Sequence, residues 1–156
     1  MLLIKNKKAY FDYRLAQKYQ AGIVLTGAEV KSLRLKHASL AGSYVKSLSN
    51  NQKQSELFLI NAQINPYQFA NQNESYDPKR SRKLLLKRKE IEELITSSEQ
   101  KSYSIIPLAF ILEHNQIKLE IALAKGKKSF EKRESIKKKD LKRELDKKLK
   151  LSQLKI

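Results

Sequence analysis

The sequence has no cysteine, only two histidines, four glycines and three prolines among its 156 residues. Without cysteine there is no disulfide scaffold, no thiol nucleophile and no Cys-based zinc site, which fits a reducing compartment. The histidines, His37 and His114, are far apart, and neither stands beside paired carboxylates. No three-ligand zinc pattern results, and both read as ordinary loop residues. The glycines Gly22, Gly27, Gly42 and Gly126 form neither a P-loop nor a GxGxxG spacing. Glu90, Glu92 and Glu93 read as the solvated face of a helix. With no catalytic or metal constellation, the expectation is a protein that is not an enzyme and needs no cofactor. Long hydrophobic runs are also missing: Ile105 to Leu112 falls far short of the roughly 20 apolar residues of a spanning helix. Met1-Leu2-Leu3-Ile4 precedes Lys5, Lys7 and Lys8, the reverse of a secretory signal, so a cytoplasmic location is expected.

What the chain has in excess is positive charge. Its 33 Lys/Arg against 16 Asp/Glu give a net charge of +17. Such an excess costs self-repulsion unless an anionic partner neutralises it, and nucleic acid does so with release of condensed counterions. An acidic membrane surface is the competing partner on composition alone. The charge is unevenly spread. Residues 125–156 hold 14 Lys/Arg and five Asp/Glu, a net of +9, against +8 for the first 124 residues. The same tail has one aromatic residue, Phe130, and one glycine, at its start. A boundary near residue 130 is expected, with a folded body over 1–130 and a basic tail over 131–156.

Within the body, Asp12 to Leu25 alternates polar and apolar residues and reads mostly as strand. Thr26 followed by Glu29 is a capping-box pattern and predicts a helix over Ala28 to Leu35. Ser43 to Leu48 and Glu56 to Ile64 read as a strand pair, and Asn65 to Asp77 as a loop. Leu84, Leu85, Ile91, Leu94 and Ile95 recur at spacings near three and four, predicting a helix from Arg80 to about Ser98. Tyr103 to Leu112 and Ile117 to Ala124 read as a hairpin, the second arm alternating with period two. Short strands outnumber helices. The expected fold is mainly β with helices: a small antiparallel OB-like β-barrel with peripheral α-helices and a basic C-terminal tail. In the tail, Ile136, Leu141, Leu145 and Leu149 make a narrow apolar stripe. It reads as a segment disordered alone that becomes an amphipathic helix on a partner, or as a terminal helix docked on its own body.

Four ordered segments carry a resemblance. The run Gly22-Ile23-Val24-Leu25-Thr26-Gly27-Ala28-Glu29-Val30-Lys31-Ser32-Leu33-Arg34 resembles the hallmark of the SsrA-binding protein (SmpB) family. Asp77-Pro78-Lys79-Arg80-Ser81-Arg82-Lys83-Leu84-Leu85-Leu86 is similar to its DPxRxRKLLL stretch. Pro107-Leu108, with Ile121 to Lys128, is similar to its VPL and LAxGKK segments, and Ser129 to Arg133 to its xYDKR. Phe130 and Glu131 stand where the family usually has Tyr or His and Asp, and Lys87 where many members have Asn or His.

The resemblance implies an RNA-binding adaptor that binds the tRNA-like domain of transfer-messenger RNA (tmRNA) and brings it to stalled ribosomes for rescue and peptide tagging. A structural ribosomal protein with a barrel body and a basic tail is the alternative. Folded RNA is met through shape, phosphate and 2′-hydroxyl contacts, with unstacked bases engaged in loops. The expected RNA-binding set is Glu29, Lys31, Arg34, Arg82, Lys83, Leu85, Lys87, Lys125, Gly126, Lys127, Lys128, Lys132 and Arg133. Glu29 reads either as a helix cap or as an acceptor from an RNA base or hydroxyl. Leu85 reads as an apolar contact to an unpaired base or as helix packing. Tyr19 and Tyr44 are stacking candidates that read equally as packing residues. For the tail, the resemblance implies entry into the small-subunit decoding centre and mRNA channel, with Phe130, Glu131, Ile136, Lys137, Lys138 and Lys139 as the residues concerned.

Overall fold

The computed structural model describes residues 1–70 and 75–154; residues 71–74 of the expected loop lie outside the described part. The chain divides into two compact units, Met1–Lys125 and Gly126–Ile156. The first holds β1 (Leu2–Lys5), α1 (Lys7–Asp12), β2 (Tyr13–Ile23), α2 (Gly27–Arg34), β3 (Ala38–Ser39), β4 (Tyr44–Ser49), β5 (Ser55–Ile60), β6 (Gln63–Ile64), β7 (Arg82–Leu85), α3 (Arg88–Gln100) and β8 (Ser104–Glu113). Strand β9 (Gln116–Gly126) leads out of it, and the second unit is built on α4 (Ser129–Leu154).

Seven strands form one sheet in the order β1-β8-β9-β2-β7-β5-β4, and β3 with β6 forms a small second sheet. The β8–β9 hairpin runs from Ser104↔Ala124 to Glu113↔Gln116. His114 and Asn115 turn it with φ of 49° and 61°, the positive angles that a two-residue hairpin turn needs. Opposite Pro107 the register slips, as expected where a residue without an N–H sits in a ladder. Strand β4, at the far end from β1, packs against β8, so the sheet curls on itself in the manner of a barrel. β1 and β4 remain the two ends of its hydrogen-bonded order.

Period-two alternation decides what each face of the hairpin covers. Ile117, Leu119, Ile121 and Leu123 enter the main core with Leu57, Leu59, Leu84, Phe110 and, from α3, Ile91 and Leu94. Ala122 and Ala124 face the other way, where Ile106, Leu108 and Ala9 of α1 complete a second cluster. Alanine at those two positions leaves room for Tyr10, Tyr13 and Leu15 to pack over them.

One expected element changes kind. The helix expected from Arg80 begins only at Arg88, because Arg82–Leu85 pairs as a strand with β2 and β5. Its inward positions are Arg82 and Leu84, and a buried arginine does not register as apolar in a periodicity search. The strand expected over Asp12 to Leu25 is present as β2, Tyr13–Ile23, and a short helix, Lys7–Asp12, precedes it. Its cap Asn6 accepts from the Ala9 N–H at 3.2 Å and donates Nδ2 to the Pro107 carbonyl at 2.9 Å.

Candidate nucleic-acid interface

The capping box expected at α2 is present: Thr26 Oγ1 accepts from the Glu29 N–H at 3.2 Å, and Glu29 Oε1 accepts from the Thr26 N–H at 3.1 Å. Glu29 does more than cap. Its side chain is 1% exposed, and both carboxylate oxygens are engaged by arginines, Oε1 by Arg80 and Oε2 by Arg82. Arg82 is fully buried. All five of its N–H donors are taken: Nε by Glu29, Nη1 by the Ala62 and Arg80 carbonyls at 2.8 and 3.1 Å, and Nη2 by the Tyr76 hydroxyl and Pro78 carbonyl at 3.2 and 3.0 Å. The Tyr76 hydroxyl in turn donates to the Ile64 carbonyl at 2.9 Å. One carboxylate thus ties the segment 76–82 to α2 and β6.

Burial alone would raise the Glu29 pKa, but hydrogen bonds from Arg80, the Thr26 N–H and Arg82 outweigh it and leave the carboxyl below its ordinary value. A lowered folded pKa means that Glu29 stabilises the fold fully above the unfolded value of about 4.3 and progressively less as pH falls through the folded one. The unfolding free energy is therefore expected to decline below that pH, and Glu29→Gln to flatten the decline. Urea titrations across acid pH measure both. A Glu29→Gln chain with an unaltered acid limb would show that other carboxylates carry it.

The expected RNA-binding residues fall into two groups. Glu29 and Arg82 are inside the molecule and neutralise each other, so their charges are not presented to a partner. The rest are at the surface. Lys31 and Arg34 are exposed on α2. Lys83 is half-exposed, with Nζ 3.0 Å from Glu56 Oε1. Leu85 is 53% exposed. Its register partner is Gly22, where an added Cβ would come within 3.2 Å of the Leu85 Cβ, so glycine there leaves Leu85 its position. Lys87 precedes α3, and its N–H donates to Glu90 Oε2 at 3.1 Å. Lys125 ends the first unit with its ammonium 4.8 Å from the centroid of the Tyr103 ring. Among the described residues no group of three or more His, Cys, Asp or Glu is placed to hold a metal. No described helix is long and apolar enough to cross a membrane.

In the second unit, Lys128 and Arg133 are exposed, while Lys127 and Lys132 are half-buried. Lys127 Nζ lies 3.4 Å from the Ser135 hydroxyl. Along α4, Phe130, Ile136, Leu141, Leu145 and Leu149 are all exposed, as are Lys137, Lys138 and Lys139.

The protein-family model described as SmpB protein matches residues 3–151. The chain belongs to the SmpB family. It is 45% identical over 144 residues to the SsrA-binding protein of Geotalea uraniireducens strain Rf4, covering 92% of this chain and 91% of that one. With the SsrA-binding protein of Mycoplasma mycoides subsp. mycoides SC it shares 44% over 142 residues, 91% and 93% of the two chains. A solved structure from work described as "tmRNA-SmpB: a journey to the center of the bacterial ribosome" matches with a TM-score of 0.66 and 35% identity, covering 83% of this chain and 87% of that one. For an SmpB protein the curled antiparallel sheet with flanking helices is the shared fold.

Sequence reasoning missed the partners of Glu29. Tyr76 and Arg80 stand 47 and 51 residues from it, and only the fold brings them together. The one available signal was an acid in the middle of an otherwise basic SmpB motif, which has to be neutralised by something. Reasoning also passed over Tyr67 and Phe69 as loop residues, although they form an aromatic pair at the surface.

Proposed function

We propose that the chain is an RNA-binding adaptor of trans-translation, which binds the tRNA-like domain of tmRNA and delivers it to stalled ribosomes. The observation that carries this reading is a match to SsrA-binding proteins over 92% of the chain, whose net charge of +17 calls for a polyanionic partner. In this reading Lys31, Arg34, Lys83, Lys87, Lys125, Lys127, Lys128, Lys132 and Arg133 supply phosphate and sugar contacts. Leu85 offers an apolar face to an unpaired base, and Gly126 lets the backbone approach RNA closely. Glu29 and Arg82 act from below, holding in shape the surface that carries the others. Phe130, Glu131, Ile136 and Lys137 to Lys139 belong to the part that enters the small-subunit decoding centre and mRNA channel. The protein works in the cytoplasm, binds no membrane and catalyses no reaction; incubation with the RNA leaves the RNA intact.

Replacing Lys127, Lys128 and Arg133 together with alanine tests the phosphate contacts. The affinity for the tRNA-like domain is expected to fall, and the logarithmic salt slope to flatten by about 0.7 to 0.9 for each phosphate no longer neutralised. Filter binding over a series of salt concentrations reads both. A triple variant with the wild-type slope would remove these residues from the interface.

A further inference from the structure

Beside the Glu29 network runs a groove of about 910 Å3, lined by Gly27, Lys31 and Asn65 and by Tyr67, Phe69 and Arg80 among others. Its volume is in the range of sites that hold small molecules. Tyr67 and Phe69 stand edge to face, with ring centroids 5.6 Å apart and planes at 69°. Phe69 is 78% exposed. A single exposed apolar side chain needs no explanation. Here, however, the ring is one of a pair, and Lys31 holds its ammonium 5.3 Å from the Tyr67 centroid.

The arrangement is fixed at its base. Ser32 of α2 donates its hydroxyl to the Asn65 carbonyl at 2.6 Å, and the Asn65 N–H donates to the His37 carbonyl at 3.0 Å. The Ala70 N–H closes a turn on the Tyr67 carbonyl at 3.0 Å. Arg80, Glu29 and Tyr76 lock the opposite wall. The backbone beneath the rings is thereby tied to the helix that carries Lys31.

We infer that the Tyr67–Phe69 pair with Lys31 is a stacking subsite for one unpaired RNA base, whose phosphate Lys31 contacts. This inference deepens the function proposed above and rests on it. Every base has a π-face, so aromatic side chains beside a cation accept unstacked nucleotides with little regard to sequence. Aromatic faces beside a cation favour RNA over an acidic peptide as the occupant, because a nucleotide has both a flat base to stack and a phosphate. Of the two carboxylates lining the groove, Glu29 is neutralised by two arginines and Asp77 Oδ1 accepts from the Lys79 N–H at 3.0 Å, while Lys31 brings an ammonium to the aromatic pair for a phosphate. The edge-to-face geometry also leaves one face of Phe69 open for a flat partner.

The full-length chain is titrated with the tRNA-like RNA, carrying 2-aminopurine in turn at each unpaired loop position. For one position the wild type is expected to change the probe's fluorescence, and the Tyr67→Ala/Phe69→Ala double variant to leave it unchanged. That variant is expected to bind roughly 5- to 100-fold more weakly, the effect of losing one stacked base. Its salt slope stays at the wild-type value, since every cation is still in place. Phe69→Trp is expected to restore binding, and thermal melts of each variant to match the wild type. A double variant with wild-type affinity and the full set of probe responses overturns the inference and leaves the adaptor reading standing. Wild-type RNA affinity together with lost tagging assigns the rings to a protein partner, and equally overturns it. A wild-type chain without salt-dependent affinity for the RNA overturns the adaptor reading, and the subsite with it.

Discussion

Ending the chain after Arg133 is expected to abolish peptide tagging on stalled ribosomes while leaving affinity for the isolated tRNA-like domain nearly unchanged. The expectation follows from what α4 lacks. Over Ser129–Leu154 its apolar residues Ile136, Leu141, Leu145 and Leu149 are all exposed, in a helix otherwise dominated by charge. Most helices in proteins owe their persistence to the burial of an apolar face, and isolated ones are marginal in water. In the adaptor reading, a helix with this exposed stripe is suited to be stabilised in a channel walled by RNA phosphate that matches its lysines. In that reading, binding of the free RNA does not need such a channel, whereas action on the ribosome does. Gel-shift measurements with the RNA fragment and a tagging assay on stalled complexes separate the two. If truncation removes both activities, the tail belongs to the primary RNA site. If tagging survives, the tail is dispensable and the division of labour proposed for the two units is wrong.

Glu29→Ala is expected to cost about 3–5 kcal/mol of folding stability, the usual effect of removing one partner from a buried ion pair. The loss is large because the fully buried Arg82 keeps its charge when its partner is gone. Against a total stability of roughly 5–15 kcal/mol for a domain of ordinary size, the variant becomes marginal. Arg80 is only half-buried, so Arg80→Ala is expected to cost less. Urea unfolding at neutral pH orders these variants. The experiment also decides between two roles for the acid. A direct hydrogen bond to RNA predicts weakened binding at unchanged stability, whereas the framework role predicts lost stability first. Glu29→Ala with a wild-type unfolding midpoint would return Glu29 to the RNA surface.

How much of this was legible in the sequence differed from element to element. The capping box at Thr26 and Glu29 is a local pattern, and it appears as expected with the helix over Gly27–Arg34. The β8–β9 hairpin was also legible, because alternating residues on both arms face two apolar clusters. Strand β7 was not. Its short Arg-Lys-Leu-Leu run fits either period, and pairing with β2 and β5, which the local sequence does not encode, decided the outcome. The same limit applied to the site. Exposed lysines were found from charge and motif, but the burial of Glu29 and Arg82 depends on contacts across 53 residues of chain. The motif marked both residues as important without saying which side of the surface they occupy.

The placement of β1 has a consequence for how the molecule comes into being. Leu2 pairs with Ile111, so the first strand finds its hydrogen-bonding neighbour about a hundred residues downstream. At synthesis rates of roughly 5–20 residues per second, that neighbour is made some 5–20 s after β1 has been. During this interval the strand has no ladder to join, and the seam beside β8 cannot close. Closure of that seam thus waits for the late β8–β9 hairpin, and β1 is made long before the strand that holds it.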